Sequence, residues 1–390
     1  MIAEGAEIDP ACGEEPPGLY LHIPFCKSKC AYCSFNSQAC TQPPPEYLEA
    51  LSRQIAFWSG HPWCQERIFS SLFIGGGTPT IYGERLAGLV SQCLGAFRFS
   101  EDAEVSVEAN PNTVDAATLD ALRRAGVNRL SLGGQSLSDR LLAMIGRTHT
   151  AAEVRAAVIM ARQAGFVNLN LDLIYGLPDQ RVADWQETLE VALSFAPEHL
   201  ACYELTIEEG TPFGEARDAG RLVLPGEEEV LAMEEITHAL AGQAGLQRYE
   251  ISNYARPGFQ CRHNLNYWRN GSYLGLGAGA VSCLSGMRVS MVDAAERYVA
   301  LLEQERQPVA EAECLPLAAS FRETVVMGLR LLEGVSVERL RGRFGLTAQE
   351  YYGSILEELQ SQGLVSMGKG RLRLTERALP VANQVLARLV

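Results

Sequence analysis

Three cysteines lie close together near the start of the chain, in the run LYLHIPFCKSKCAYCSF. Cys26, Cys30 and Cys33 have the spacing C-x3-C-x2-C. Thiolates are the protein ligands that iron–sulfur clusters use. Three thiolates this close in sequence can hold three irons of a cubane and leave the fourth iron open to a chelating molecule. The run therefore predicts a [4Fe–4S] cluster with one open iron.

A structural alternative is that the same cysteines form one buried stripe of a helix. They stand at positions i, i+4 and i+7, and a free cysteine packs as a small hydrophobic side chain. Pro24 lies just upstream, and Lys27, Ser28 and Lys29 crowd the interval between the first two cysteines. This context favours a loop that follows a strand over a packed helix.

The elements that must position this loop follow a repeated pattern. Over the first two-thirds of the chain, a short β-rich run alternates six times with a helical pattern of ten or more residues. The predicted strands are residues 18–23, 70–74, 104–109, 129–133, 168–174 and 199–205. Alternating units of this kind favour a parallel sheet. Because six units are fewer than the eight of a closed barrel, the sequence predicts an α/β fold, a partial (β/α)6 TIM-like barrel.

The last third of the chain changes character. Residues 248–291 contain extended pieces separated by turns, which are candidates to extend the open edge of the barrel. Residues 308–316 are typical of a linker, and the helical patterns and β-like run beyond them predict a small winged-helix-like domain. The predicted organisation is a flexible N-terminus (1–17), a barrel with a C-terminal extension (18–307) and the small domain (308–390).

Further polar or glycine features follow the other predicted strands. In β/α barrels, the chemistry gathers at the C-terminal ends of the strands. The features in chain order are Gly75–Thr78, Glu108, Gln135, Asp172 and Glu204. Each alone has a structural explanation, since the glycines suit a tight turn and Glu108 or Asp172 suits a helix cap. Together with the cysteines at one face, they predict a single site.

Composition narrows the choice of partners and compartment. The formal net charge is −14, and we see no strongly basic run, so nucleic acid is a poor candidate partner. The acidic N-terminus has no apolar segment typical of a signal peptide, and no stretch of eighteen apolar residues predicts a membrane span. Eleven cysteines, an odd number, favour a reducing cytoplasm over a disulfide framework.

Beyond these separate features, whole motifs resemble those of the radical S-adenosylmethionine superfamily. They are YLHIPFC-x3-C-x-Y-C, GGGTPT, SVEANP, RLSLGGQS, NLDLIYGLP and HNLNYW. The resemblance extends over about residues 18–390 and is greatest to the branch that contains oxygen-independent coproporphyrinogen III oxidase and its haem-chaperone relative. It implies that Cys26, Cys30 and Cys33 ligate the cluster, whose open iron takes S-adenosylmethionine.

The resemblance also implies roles for residues around the cluster. Gly76, Gly77 and Thr78 would place backbone groups beside the methionine moiety. The side chains that would contact the cosubstrate, or a second copy of it, are those of Tyr20, Glu108, Gln135, Arg147 and Asp172, and Tyr32 would pack on its adenine. In such sites, an electron from the cluster cleaves the sulfonium and gives a 5′-deoxyadenosyl radical. An electron donor such as flavodoxin or ferredoxin would then be a partner.

Two departures from the oxidase pattern point to the haem chaperone. The oxidase motif has a further cysteine two residues after the third ligand, where this chain has Phe35. The residues before Tyr20 are few, acidic and without arginine. Binding of a tetracarboxylate porphyrinogen is expected to use arginine side chains that pair with its carboxylates.

A positive mark for haem is the run HNLNYW, which resembles a motif of the haem chaperones. Histidine is a common axial ligand of haem iron, and aromatic side chains suit a flat macrocycle, so His263 is the candidate haem ligand. The structural alternative is a hydrogen-bonded histidine in a turn, with Tyr267 and Trp268 in the core.

We therefore expect a cytoplasmic haem chaperone that delivers haem to acceptor proteins, with a homodimer left open. The alternatives are the oxygen-independent coproporphyrinogen III oxidase, which converts two propionates to vinyls, and radical chemistry on another substrate, such as methyl transfer.

Overall fold

The computed structural model describes residues 15–390. The strands in chain order are β1 (Gly18–Ile23), β2 (Phe25–Cys26), β3 (Gln38–Ala39), β4 (Phe69–Gly76), β5 (Phe99–Ala109), β6 (Arg129–Gln135), β7 (Leu169–Tyr175), β8 (His199–Glu204), β9 (Gln247–Arg248), β10 (Asn253–Ala255), β11 (Tyr273–Leu276), β12 (Val281–Leu284), β13 (Met287–Met291), β14 (Val309–Cys314), β15 (Val335–Ser336), β16 (Val365–Gly368) and β17 (Arg371–Leu374).

The helices are α1 (Pro45–Ser59), α2 (Pro62–Gln65), α3 (Arg85–Ala96), α4 (Ala116–Arg124), α5 (Asp139–Met144), α6 (Ala151–Gln163), α7 (Val182–Ser194), α8 (Pro212–Asp218), α9 (Glu227–Gln243), α10 (Arg262–Trp268), α11 (Ala295–Glu303), α12 (Leu317–Gly328), α13 (Val337–Phe344), α14 (Ala348–Tyr352), α15 (Ser354–Ser361) and α16 (Ala382–Ala387). Short 3₁₀ helices occupy Pro79–Tyr82, Pro111–Thr113 and Glu376–Val381.

Six parallel strands form the centre of a twelve-stranded sheet. Their spatial order, β1-β4-β5-β6-β7-β8, follows the order of the chain, and every neighbouring pair is parallel. Because each crossover returns to the next strand, all six C-terminal ends lie at one edge. In residues 15–390 the two outermost strands of the sheet, β14 and β9, do not pair with each other. The predicted partial barrel is confirmed.

Both edges of the parallel sheet are extended by later strands. β11 pairs in parallel with β1, and β12, β13 and β14 continue the sheet in antiparallel order, while β10 and β9 extend it beyond β8. The prediction of a linker at residues 308–316 was wrong, because Val309–Cys314 pairs with β13 and so belongs to the large sheet. The free backbone edge of β13 offers this segment hydrogen bonds that a linker would leave to water.

Helices cover the outer face of the parallel sheet and bury their apolar sides against it. The indole of Trp185 on α7 is fully buried and donates to the carbonyl oxygen of Met233 and the hydroxyl of Thr237 on α9. These hydrogen bonds fix α7 and α9 to each other. In residues 15–390 no helix is both long and apolar enough to cross a membrane.

A second, smaller core lies at the C-terminal end of the chain. α12 to α16 pack around a three-stranded sheet of order β15-β17-β16, as the predicted winged-helix-like pattern requires. Arg288 on β13 forms a 2.6 Å ion pair with Glu323 on α12, which ties this unit to the sheet. Of the predicted flexible N-terminus, residues 1–14 lie outside the described part, and Glu15 forms an ion pair with Arg339 at 2.7 Å.

Candidate functional site

The three cysteines lie in the loop between β1 and α1, at the C-terminal edge of the parallel strands. Cys26 lies on β2, and the carbonyl oxygen of Cys26 accepts a 2.8 Å hydrogen bond from the backbone N–H of Cys40. Ala31 N–H donates to the carbonyl oxygen of Ile145 at 3.0 Å, which anchors the middle of the loop to the barrel. No helix forms between β2 and β3. The prediction of a loop is therefore confirmed, and the alternative of a buried helical stripe of cysteines is not.

This loop forms one wall of a cavity of about 380 Å³. Its lining includes Cys26, Cys30, Tyr32, Cys33, Gly76, Gly77, Thr78, Glu108, Asn110, Gln135, Arg147, Asp172 and Glu204. Hence twelve of the fourteen residues that sequence motifs placed in the cluster and cosubstrate site or at its strand ends line one pocket, called here the cofactor pocket. The exceptions are Gly75 and Tyr20.

The glycine run after β4 lets backbone approach the cysteine loop closely. Gly76 has φ +110°, and a Cβ atom there would lie 2.5 Å from the His22 ring. A Cβ atom on Gly77 would lie 2.6 Å from the carbonyl oxygen of Phe25, to which Thr78 N–H donates at 2.8 Å. Side chains at these positions would displace the strand that leads into the cluster loop, so glycine is required.

The Thr78 side chain connects this run to the first cysteine. Its hydroxyl donates to the Sγ of Cys26 at 3.4 Å and accepts from the amide of Asn110 at 2.9 Å. Asn110 occurs in the motif SVEANP, but no role was predicted for it. Its position directly after a predicted strand is the signal that could have indicated a role in the site.

Two carboxyl groups face the cofactor pocket from adjacent parts of the sheet. Gly76 N–H donates to Glu108 Oε2 at 3.1 Å, yet burial and the nearby Asp172 raise the pKa of Glu108 to about 8. Burial also raises the pKa of Asp172, and hydrogen bonds from Asn170 and Ser131 oppose that rise. The pocket thus offers one carboxyl group that holds a proton near neutral pH and one surrounded by donors.

Arg147 joins the cysteine loop to the strand ends. Its guanidinium donates to Cys30 Sγ at 3.5 Å, to the carbonyl oxygen of Gly133 at 2.6 Å and to the side chain of Asn110. Its Nε is buried and has no hydrogen-bond partner among the described residues. Gln135, at an irregularity between β6 and β7, has φ +63°, a conformation that persists at functional sites when the surroundings impose it.

Tyr20 and His263 lie outside the cofactor pocket, in a chamber of about 170 Å³ within the barrel. The Tyr20 hydroxyl is 2.9 Å from His22 Nδ1, and its ring stacks near those of Phe73 and His263. Tyr20 is not among the residues that line the cofactor pocket, and its contact with the cosubstrate stays a prediction. Four residues line both the cofactor pocket and the chamber, so the two spaces adjoin each other. These residues are Glu108, Ser131, Asp172 and Tyr203.

His263 is the second residue of helix α10, and both of its ring nitrogens have hydrogen-bond partners. Nδ1 is 2.9 Å from the Ser71 hydroxyl, Nε2 is 3.0 Å from the Tyr267 hydroxyl, and the residue is 1% exposed. Burial, aided by Arg129, lowers the pKa of His263 to about 3. This geometry matches the structural alternative of a hydrogen-bonded histidine. That alternative placed His263 in a turn, whereas the residue lies in helix α10. A role as haem ligand would require the ring to be freed.

The donor set of the cofactor pocket fits a [4Fe–4S] cluster. In residues 15–390 no three His, Cys, Asp or Glu side chains are grouped to hold one metal ion together. A cubane has a different requirement, because each thiolate binds its own iron. Three thiols facing one cavity, together with the unpartnered Arg147 Nε and the carboxyl groups, suit a cluster beside a polar organic cosubstrate.

Comparisons with known proteins decide the family. The chain matches the Radical SAM superfamily model over residues 20–192 and the HemN C-terminal domain model over residues 315–381. It is 36% identical over 372 residues to the haem chaperone HemW of Bacillus subtilis, covering 94% of this chain and 97% of that relative. The chain belongs to the HemW family.

Other members support the same assignment. The HemW of Escherichia coli is 41% identical over 268 residues, covering 68% of this chain and 69% of that protein. The solved structure of the Escherichia coli coproporphyrinogen III oxidase, HemN, superposes with a TM-score of 0.83 at 25% identity, covering 98% of this chain and 92% of HemN. The predicted family is confirmed, and the oxidase is its relative within the radical SAM superfamily, whose cofactors are a [4Fe–4S] cluster and S-adenosylmethionine.

Proposed function

We propose that this chain binds haem and transfers it to acceptor proteins. The observation that carries the proposal is the similarity to the haem chaperone HemW of Bacillus subtilis over nearly the full length of both chains. Phe35 supports it, because this residue lines the mouth of the cofactor pocket and is 67% exposed where the oxidase motif has a cysteine.

The cofactor pocket is proposed to hold the cluster through Cys26, Cys30 and Cys33, and S-adenosylmethionine beside it. When bound and reduced, the cluster supplies an electron for cleavage of the cosubstrate. Gly76, Gly77, Thr78, Glu108, Gln135, Arg147 and Asp172 are the residues proposed to hold the cosubstrate. Among them, Glu108 can donate a hydrogen bond while Asp172 accepts one, which favours a ligand with both donors and acceptors.

The test is anaerobic reconstitution of the cluster, titration with haem and a parallel assay on coproporphyrinogen III. We expect one haem per chain and no vinyl product. Conversion of the porphyrinogen with release of 5′-deoxyadenosine would instead assign the chain to the second candidate, the oxidase, which the superposition with HemN favours. Release of 5′-deoxyadenosine on another substrate would point to different radical chemistry.

The proposed setting is the cytoplasm, where free thiols such as the ten described here stay reduced. The proposed partners are haem-acceptor proteins and, for radical chemistry, an electron donor such as flavodoxin or ferredoxin. Light scattering with and without the cluster tests whether a homodimer forms.

A further inference from the structure

A continuous chain of hydrogen bonds leads from the wall of the cofactor pocket into the sheet. Asp172 Oδ2 is 2.9 Å from the Ser131 hydroxyl, and Asp172 Oδ1 is 2.8 Å from the Asn170 amide nitrogen. The Asn170 oxygen is 2.6 Å from His199 Nδ1, and His199 Nε2 is 2.9 Å from the Tyr249 hydroxyl. Sequence reasoning assigned no role to His199, which is 1% exposed.

The far end of this chain is fixed by a backbone donor. The N–H of Cys261 donates to the Tyr249 hydroxyl oxygen at 3.4 Å, so the phenol proton can go to His199 Nε2. A neutral histidine that accepts at Nε2 carries its proton on Nδ1 and donates to the Asn170 oxygen. His199 stays neutral because burial and Arg129 hold its pKa well below the usual value.

The hydrogen bonds keep the same donor-to-acceptor direction from His199 through Asn170 to the Asp172 carboxyl group. With its oxygen occupied by His199, Asn170 can present only its NH₂ group to Asp172, and the Ser131 hydroxyl donates to the other oxygen. Burial raises the pKa of Asp172, and the two donors on its carboxyl group oppose that rise by favouring the ionised form. The opposite arrangement, with a protonated Asp172 donating to a turned Asn170 amide, would require a proton on His199 Nε2 that competes with the phenol proton.

We infer that His199 is a positioning residue which, through Asn170, holds Asp172 as an ionised hydrogen-bond acceptor facing the cofactor pocket. The inference rests on the proposed binding of S-adenosylmethionine in that pocket and names the residue that prepares one of its contacts. His199 itself does not line the cofactor pocket. The tautomer of His199 with its proton on Nδ1 goes with an ionised Asp172, and the tautomer with its proton on Nε2 goes with a protonated Asp172.

The first measurement is the tautomer of His199, read from ¹⁵N–¹H correlation spectra of histidine-labelled, reconstituted protein. The His199→Gln spectrum assigns the resonance among six histidines, and His238→Gln, at an exposed position, is the matched control. A neutral ring with its proton on Nδ1 is expected. A proton on Nε2, or a charged ring, would overturn the inference even if the protein binds S-adenosylmethionine.

The second measurement is a double-mutant cycle on S-adenosylmethionine affinity. His199→Leu should weaken binding roughly tenfold, the loss typical of one hydrogen bond to a charged group. In an Asp172→Asn background, the same change should have little further effect, because the acceptor it orients is gone. An equal loss in both backgrounds would make His199 merely structural. Absence of binding in the unmodified protein would refute the proposed cosubstrate, while the tautomer would still decide the inference.

Discussion

Arg147 Nη1 lies 3.5 Å from the sulfur of Cys30, so a permanent positive charge contacts one of the proposed cluster ligands. Contacts of this kind set the potential of an iron–sulfur cluster, since the reduced cluster carries one more negative charge. Arg147→Gln should therefore make the reduction potential more negative, as measured by an anaerobic redox titration. Arg147→Lys is the control that keeps the charge and should recover part of the shift; an unchanged potential in Arg147→Gln would contradict the contact.

Cys30→Ala should abolish cluster assembly while leaving haem uptake largely intact. The variant lacks one of the three thiolates, whereas the predicted haem ligand, His263, lines the adjoining chamber and not the cofactor pocket. Iron and sulfide content and haem titration report the two properties. The matched control is Cys314→Ala, at an exposed position on β14. If a folded Cys30→Ala protein lost haem binding, the two sites would be coupled.

Gly76→Ala should destabilise the protein by about 1–3 kcal/mol, because a side chain there meets both a positive φ and the His22 ring. Gly88 is the matched control: it lies within α3, and a Cβ atom there would meet nothing within 4 Å. Gly88→Ala should raise the free energy of unfolding by roughly 0.5–1 kcal/mol. Urea unfolding measures both, and equal effects of the two changes would refute the argument from close approach.

Glu108 makes stability depend on pH with a definite sign. Its pKa rises from 4.5 to about 8 on folding, so between these values the folded protein holds a proton that the unfolded chain has lost. The free energy of unfolding should therefore fall as the pH rises through this window. Glu108→Gln should make the fall shallower in urea unfolding before reconstitution, and the exposed control Glu303→Gln should not. Parallel curves for all three proteins would show that Glu108 ionises normally.

Tyr267→Phe tests His263 as the haem ligand. The variant removes the hydroxyl 3.0 Å from His263 Nε2 and so frees the nitrogen that would bind iron. Haem affinity should rise by up to about tenfold, since one competing hydrogen bond is worth roughly 0.5–1.5 kcal/mol. His263→Ala should weaken haem binding in the same titration. Unchanged affinity in both variants would exclude His263 as the ligand.

The sequence was sufficient to locate the parallel strands and the residues at their ends. β1 was predicted without error, and polar residues after successive strands met in one pocket because parallel strands end at one edge. Local pattern decided less about His263 and Tyr20. The neighbours of these side chains come from distant segments, such as Ser71 opposite His263, and no spacing rule reports such pairs.

The contacts of Arg147 with Cys30 and Asn110 were equally beyond local pattern, since they join residues 117 and 37 positions apart. The segment 309–314 was misjudged because its flanking prolines are typical of a linker. Its strand exists only because β13 offers an unpaired edge. Pairing across the sheet therefore overrode a composition that is typical of loops.

The outermost strand of the large sheet also affects how copies of the chain meet. All six residues of β14 are exposed, and the outer edge of the strand is unpaired within residues 15–390. Two copies joined antiparallel about Ala312 would place Glu311 of each opposite Glu313 of the other. Like charges directly opposed destabilise a strand pair. We therefore expect Glu311 and Glu313 to disfavour edge-to-edge pairing of two copies through β14.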